Sequence, residues 1–146
     1  MRLEGKVALV TGGATGVKGE LMGFGGATCW LFAREGAKVV LTDINEELGQ
    51  KTASQIRESG GEAKFLKHDV TSEQDWKYAI ETTVATYGRL DVLVNNAGRG
   101  SPYNTEDTSL EEWNAHMDLH AKGTFLGTKL AIPEMRKVGG GSIVNV

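Results

Sequence analysis

Several things are scarce in this chain, and each scarcity excludes something. It has one cysteine, Cys29, in 146 residues. That rules out an internal disulfide and fits a reducing compartment. No run approaches the ~18 apolar residues of a membrane-spanning helix. The N-terminus, Met1-Arg2-Leu3-Glu4-Gly5-Lys6, has no apolar signal region, so a cytoplasmic location is expected. Positive charge is not in excess: the net charge is −3, which argues against nucleic-acid binding by bulk electrostatics. Only three histidines occur, and none shares metal-ligand spacing with the acidic run Glu106-Asp107, Glu111-Glu112, which reads as a solvated helix start. No metal is expected. A hydrophobic fraction of 40% and a charged fraction of 24% suit one globular domain over 1–146.

Glycine, by contrast, is abundant: 20 residues, about twice the ~7% average share. Seven of them fall between Gly12 and Gly26, so the excess is a local device. It follows the apolar run Val7-Ala8-Leu9-Val10. An apolar strand feeding a Gly-rich turn is how an α/β nucleotide-binding fold begins.

The rest of the chain alternates in the same way. Strands are expected at Lys6–Thr11, Ala37–Thr42, Ala63–His68, Leu90–Asn95 and Ser142–Val146. Helices are expected at Ala27–Glu35, Glu46–Ser59 and Glu73–Tyr87, with a long helical pattern from Ser109 to about Lys137. Asp43 or Asn45 can cap the second helix, and Thr71 or Ser72 the third. Strands apolar on both faces, alternating with helices, predict a doubly wound parallel sheet of the Rossmann-like kind, cut after about five strands. Trp30, Trp76 and Trp113 fall on helices and are expected to pack, as is Cys29. His68 and His116 are expected at the surface or at a strand end.

A pyrophosphate needs backbone N–H groups at a helix N-terminus, with glycines so the chain can come close. An acid about ~20 residues beyond the glycines then holds the ribose hydroxyls. Asp43 lies 18 residues after Gly25 but 27 after Gly16. Gly25 or Gly26 therefore heads the helix best, and Val17–Phe24 is extra chain that either loops out or displaces the helix from the phosphates. An acid at Asp43 repels a 2′-phosphate, which favours NAD over NADP. A Gly-Lys-Ser/Thr phosphate loop is excluded, because Gly19 follows Lys18.

By Asn95-Asn96-Ala97-Gly98 the chain resembles the short-chain dehydrogenase/reductase family. The same resemblance runs through Thr11-Gly12-x-x-x-Gly16, Asp43, Asp69-Val70, Lys122-Gly123-Thr124-Phe125 and Gly140-Gly141-Ser142-Ile143-Val144-Asn145-Val146. It implies NAD-dependent hydride transfer between an alcohol and a ketone, and a parent that is usually homo-oligomeric. It implies cofactor contacts at Gly12, Thr15, Gly16, Gly25, Asp43, Asp69, Val70, Asn95, Ala97 and Gly98. Asp69 would accept from the adenine amino group, Ala97 and Gly98 would leave room for the cofactor, and Asn95 would tie strands together.

The family's Ser and Tyr-x-x-x-Lys come after the strand that matches Ser142–Val146. Tyr78, Tyr87 and Tyr103 are followed four residues later by Thr82, Asp91 and Asp107, so none supplies the motif. The chain is expected to hold cofactor residues without the acid–base set. Alignment on Lys122-Gly123 puts His120 where the family has an Asn that supports a proton relay. The alternatives are a non-catalytic nucleotide-binding or interaction fragment and, against Asn95-Asn96-Ala97-Gly98, a Rossmann-like methyltransferase.

Overall fold

The computed structural model describes residues 1–146. Five strands form one parallel sheet: β1 (Val7–Thr11), β2 (Lys38–Asp43), β3 (Glu62–Lys67), β4 (Val92–Asn95) and β5 (Ser142–Asn145). Their spatial order is β3-β2-β1-β4-β5. Helices α1 (Phe24–Arg34), α2 (Glu46–Glu58), α3 (Glu73–Tyr87), α4 (Leu110–His116) and α5 (Gly123–Lys137) connect them. The order reverses between β1 and β4, which opens a crevice at the carboxyl ends of those two strands, where ligands bind in such sheets.

The two faces of the sheet bury separate cores, as a period-2 strand dictates. Leu9, Val40, Leu66 and Leu93 point to one face, under Trp76 of α3 and Leu126, Ala131 and Met135 of α5. Val10, Val39, Leu41 and Val94 point to the other, under Cys29 and Ala33 of α1 and Ala53 and Ile56 of α2. Trp76 is fully buried, and its indole N–H donates to the Val70 carbonyl at 2.9 Å. Cys29 is buried, and burial drives its thiol pKa up out of the reactive range.

Helix starts follow side-chain caps. Asn45 accepts from Leu48 N–H, Ser72 from Asp75 N–H and Ser109 from Glu112 N–H. Asn45 and Ser72 are thus the caps, with Asp43 and Thr71 outside them. Most element bounds move by a residue or two from the sequence expectation. The first helix begins earlier, at Phe24 rather than Ala27, so the extra segment contributes its last residue to α1.

The long final helix is not uniform. Between α4 and α5 the segment Met117–Lys122 is π-helical, with Gly123 N–H donating to Asp118 O. The apolar periodicity runs through it and hides it. One further expectation fails on burial, and the two histidines are engaged: His68 directly follows β3, a strand end as expected. His68 is 1% exposed, because it packs edge-on against the Trp76 ring at 4.4 Å. Trp113 is 58% exposed rather than packed, since no buried residue occurs anywhere on α4. His116 is half-buried and paired with Glu112.

Candidate functional site

The carboxyl ends of β1 and β4 are stitched together by two side chains. Thr11 is buried, and its hydroxyl donates to Val94 O at 3.2 Å. The same oxygen accepts from the N–H groups of Asn96 and Ala97, both at 3.0 Å. The Asn96 amide donates to Thr11 O at 2.9 Å and to Gly12 O at 3.3 Å. Asn96 therefore fixes the entry to the glycine turn. Sequence reasoning valued Asn95, Ala97 and Gly98 above it, although Asn96 sat in the same motif. Asn95 does tie strands: its amide donates to Asn145 Oδ1 of β5 at 2.9 Å.

The turn leaves no room for side chains. Gly12 has φ +68°, and a Cβ there would lie 2.7 Å from the Asn96 amide nitrogen and 2.9 Å from Ala97 Cα. A Cβ on Gly25 would run into the Gly12 carbonyl, and one on Gly26 into the Thr15 carbonyl. The head of α1 is thus pressed directly onto the turn. Gly23 is its N-cap, without a side-chain cap bond. No intrahelical acceptor exists for the first N–H groups of a helix, and those of Phe24, Gly25 and Gly26 have no partner elsewhere. Three free donors at a helix N-terminus, with no acid in the first turn, match the oxygens of a pyrophosphate.

The extra segment takes the first of its two expected courses: it loops out. Its base is pinched by Gly23 N–H donating to Thr15 O at 3.0 Å. Val17 is buried, and Lys18 N–H donates to Gln55 Oε1 of α2 at 2.8 Å. Trp30 Nε1–H donates to Gly16 O at 2.6 Å. Gly16 is consequently a packed loop base beside Gly26, while Gly23 and Gly25 head the helix.

Asp43, at the end of β2, accepts from Ala14 N–H at 3.1 Å and from Asn45 N–H at 3.0 Å. It braces the turn and remains partly exposed beside it. Asp69 accepts from the N–H and hydroxyl of Thr71 through Oδ1, at 2.9 and 2.8 Å. Its own N–H donates to Asp75 Oδ2 at 2.9 Å, and that bond, against a smaller opposing effect of burial, holds the Asp75 carboxyl below the usual carboxylate range. Ile44, Lys67, Asp69, Gln74, Asp75 and Tyr78 line an open cavity of about 460 Å³ at this end. Val70 is buried next to it, its N–H without a partner.

At the other end, Ala97 and Gly98 leave the sheet beside the π-helical segment. The His120 ring lies over Gly98: a Cβ there would sit 3.0 Å from His120 Nδ1. His120 Nε2 is 3.1 Å from Arg99 O, and since a carbonyl only accepts, Nε2 carries the hydrogen. Glu112 pairs with Arg99 at 2.9 Å and with His116 at 3.2 Å. Hydrogen bonding from Arg99 is the main cause that keeps its carboxyl below the usual range. Glu112 is thus engaged rather than simply solvated. No three His, Cys, Asp or Glu side chains gather as a metal site.

Known proteins agree with this frame. Residues 6–146 match the family model described as short chain dehydrogenase. The chain is 48% identical over 145 residues to cyclopentanol dehydrogenase of Comamonas testosteroni, covering 99% of this chain and 55% of that protein. It is 45% identical over 145 residues to 2,5-dichloro-2,5-cyclohexadiene-1,4-diol dehydrogenase LinX of Sphingobium indicum, again over 99% of this chain and 55% of the relative. A crystal structure described as a putative short-chain dehydrogenase/reductase from Burkholderia xenovorans superposes with a TM-score of 0.90 at 38% identity, over 99% of this chain and 56% of that one. The chain spans about half the length of the curated relatives it matches. With a parallel sheet in the order β3-β2-β1-β4-β5, a glycine turn at its switch point and this match over 6–146, the chain belongs to the short-chain dehydrogenase family.

Proposed function

We propose that this chain is the dinucleotide-binding part of an alcohol-oxidising, ketone-reducing enzyme, and that it takes NAD in preference to NADP. The observation that carries the reading is the uncapped head of α1. The N–H groups of Phe24, Gly25 and Gly26 are free and are pressed against the turn at Gly12. Pyrophosphate oxygens fit those donors. The two halves of such a sheet each serve one mononucleotide. Asp43 would then accept from the adenosine ribose hydroxyls, and Asp69 with the Val70 N–H would meet the adenine. Thr15 and Gly16 flank the phosphates, and Asn95, Ala97 and Gly98 would border the nicotinamide half.

When bound, the nicotinamide supplies the hydride acceptor or donor. The chain's own residues bind and orient. Thr11 and Asn96 fix the turn, Gly12 and Gly25 let it approach the helix, and Asp43 braces Ala14 while presenting its charge to the ribose. That charge opposes a 2′-phosphate. His120 occupies the position where the family pattern has an Asn. Its Nε2–H is committed to the Arg99 carbonyl, so its part in this reading is to hold backbone.

The test is calorimetric titration of the 146-residue chain with NAD and NADP. Binding of NAD is expected about tenfold or more tighter than NADP, a difference of ~1.4 kcal/mol. Asp43→Asn keeps one acceptor oxygen and removes the charge, and it should shrink that preference. Equal affinities in the parent chain, or an unchanged ratio in the variant, would refute the role given to Asp43.

A further inference from the structure

The segment after Gly98 has little to hold it. From Gly100 to Thr108 its side-chain hydrogen bonds are local, such as Asp107 N–H to Asn104 and the Thr108 hydroxyl to Asn104 O. Yet Arg99 is gripped from two directions. Its guanidinium meets Glu112 with two separate bonds, Nη1 to Oε1 at 2.9 Å and Nη2 to Oε2 at 3.1 Å. Such paired bonds fix direction as well as distance. Glu112 is itself fixed, since its N–H is capped by Ser109 at 3.1 Å. Its Oε1 also accepts from His116 Nε2–H at 3.2 Å. The His116 ring stacks on the His120 ring at 5.4 Å between centroids, with planes 10° apart. His120 Nε2–H then returns to the Arg99 carbonyl at 3.1 Å, while its ring covers Gly98.

The circuit therefore leaves Arg99 by its side chain and comes back to its backbone. Glu112, His116 and His120 stand four residues apart on one face of the α4 and π-helical run, so a single helix surface supplies three of the four members. The only backbone it encloses is Gly98–Arg99, which leaves the carboxyl end of β4.

We propose that Arg99, Glu112, His116 and His120 form a clasp that positions the Gly98–Arg99 backbone against the nicotinamide half of the cofactor. This rests on the dinucleotide reading above. These are positioning residues. The clasp acts on one half of the ligand, and that distinguishes it from a merely structural contact. Loss of fold weakens every ligand, whereas loss of the clasp weakens only ligands that carry the nicotinamide half.

The test compares NADH with ADP, which carries the adenosine and pyrophosphate but neither the second ribose nor the nicotinamide. Dissociation constants of both are measured for the 146-residue chain and for Arg99→Met, Glu112→Gln and His120→Ala, with melting temperature as a control for folding. Breaking one partly exposed pair is expected to weaken NADH about threefold to fivefold. ADP should stay within about twofold, near the additivity scatter of independent sites. The Arg99→Met, Glu112→Gln double variant should be no weaker than the worse single one, because both break the same link. Equal weakening of both ligands, or NADH affinity unchanged in all variants, overturns the clasp. If the parent chain binds neither ligand, the dinucleotide reading has failed, and the clasp falls with it. Binding of ADP without any gain from the nicotinamide half overturns the clasp alone.

Discussion

The two halves of the sheet are built to different standards. In the half made of β1, β2 and β3, strand β1 is buried at every position and β2 at its four central ones. Helices α1 and α2 close one face, and α3 covers the other. In the half made of β4, β5 and the long helical run, β5 has only Ile143 partly buried and α4 buries nothing. Leu110, Trp113, Met117 and Phe125 are all exposed there. The difference teaches how each end of the candidate site is held. At the end beside β2 and β3, position follows from strands packed on both faces. At the end beside β4 it follows from polar bonds: Thr11 and Asn96 across the strands, and the ring of Arg99, Glu112, His116 and His120 beyond them.

The largest effect should separate two tryptophans. Trp76→Ala removes a fully buried ring from under β1 and β4 and is expected to cost ~3–5 kcal/mol, whereas Trp113→Ala should stay within ~0.5 kcal/mol. Urea unfolding of both variants measures this, and comparable losses would erase the contrast between the halves.

Next comes a pH dependence confined to the packed half. Burial pushes the His68 pKa down to about 4, opposed in part by the nearby carboxylates of Asp75 and Asp69. An unfolded histidine titrates near ~6.5, so between these values the unfolded chain binds more protons. Stability should therefore fall as pH drops from about 6.5 to about 4, by roughly 3 kcal/mol from this group in full, and this contribution should be flat above that window. His68→Gln should flatten the slope in denaturation curves collected across the range. A slope that persists in the variant points to carboxylates instead.

Gly12→Ala is expected to cost ~1–3 kcal/mol, since it places a Cβ at φ +68° against Asn96 and Ala97. NADH affinity measured on the remaining folded protein should fall as well, because the turn must shift. The smallest effect belongs to the extra loop. Deleting Val17–Gly23 rejoins Gly16 to Phe24 and leaves one residue between Gly16 and Gly25. Because the helix head already meets the turn, NAD affinity should change by no more than about twofold, below ~0.5 kcal/mol. A large tightening would show that the loop obstructs the phosphates.

How legible was this in the sequence? The sheet and most helices were, because strands apolar on both faces and caps such as Asn45 and Ser72 are local signals. The glycine turn and Asp43 were also visible, through spacing. The true head of α1 was not. The bond from Ala27 N–H to Gly23 O, at 3.0 Å, starts the helix at Gly23 and Phe24, ahead of Gly25, Gly26 and Ala27. His68 stands at a strand end as its position suggests, but its burial is not legible, because its neighbours in sequence, Lys67 and Asp69, are exposed, while the ring that buries it belongs to Trp76. The clasp was invisible for the same reason. Glu112, His116 and His120 follow a helical spacing, but Arg99 joins them only through the fold, and nothing local announces a π-helical segment. Asn96 was within reach: it sits in the quoted motif, and its partners at the end of β1 are 84 and 85 residues away in the chain.

The measurement that bears most directly on the account is an amide chemical-shift map of the 146-residue chain titrated with NAD. The free donors of Phe24, Gly25 and Gly26 should move most, with Ala14, Val70 and the Ala97–Gly98 pair following, so that both halves of the crevice respond to one ligand. Shifts that spare the head of α1, or that gather at the amino ends of β1 and β4 near Asp91 and Arg89, would contradict it.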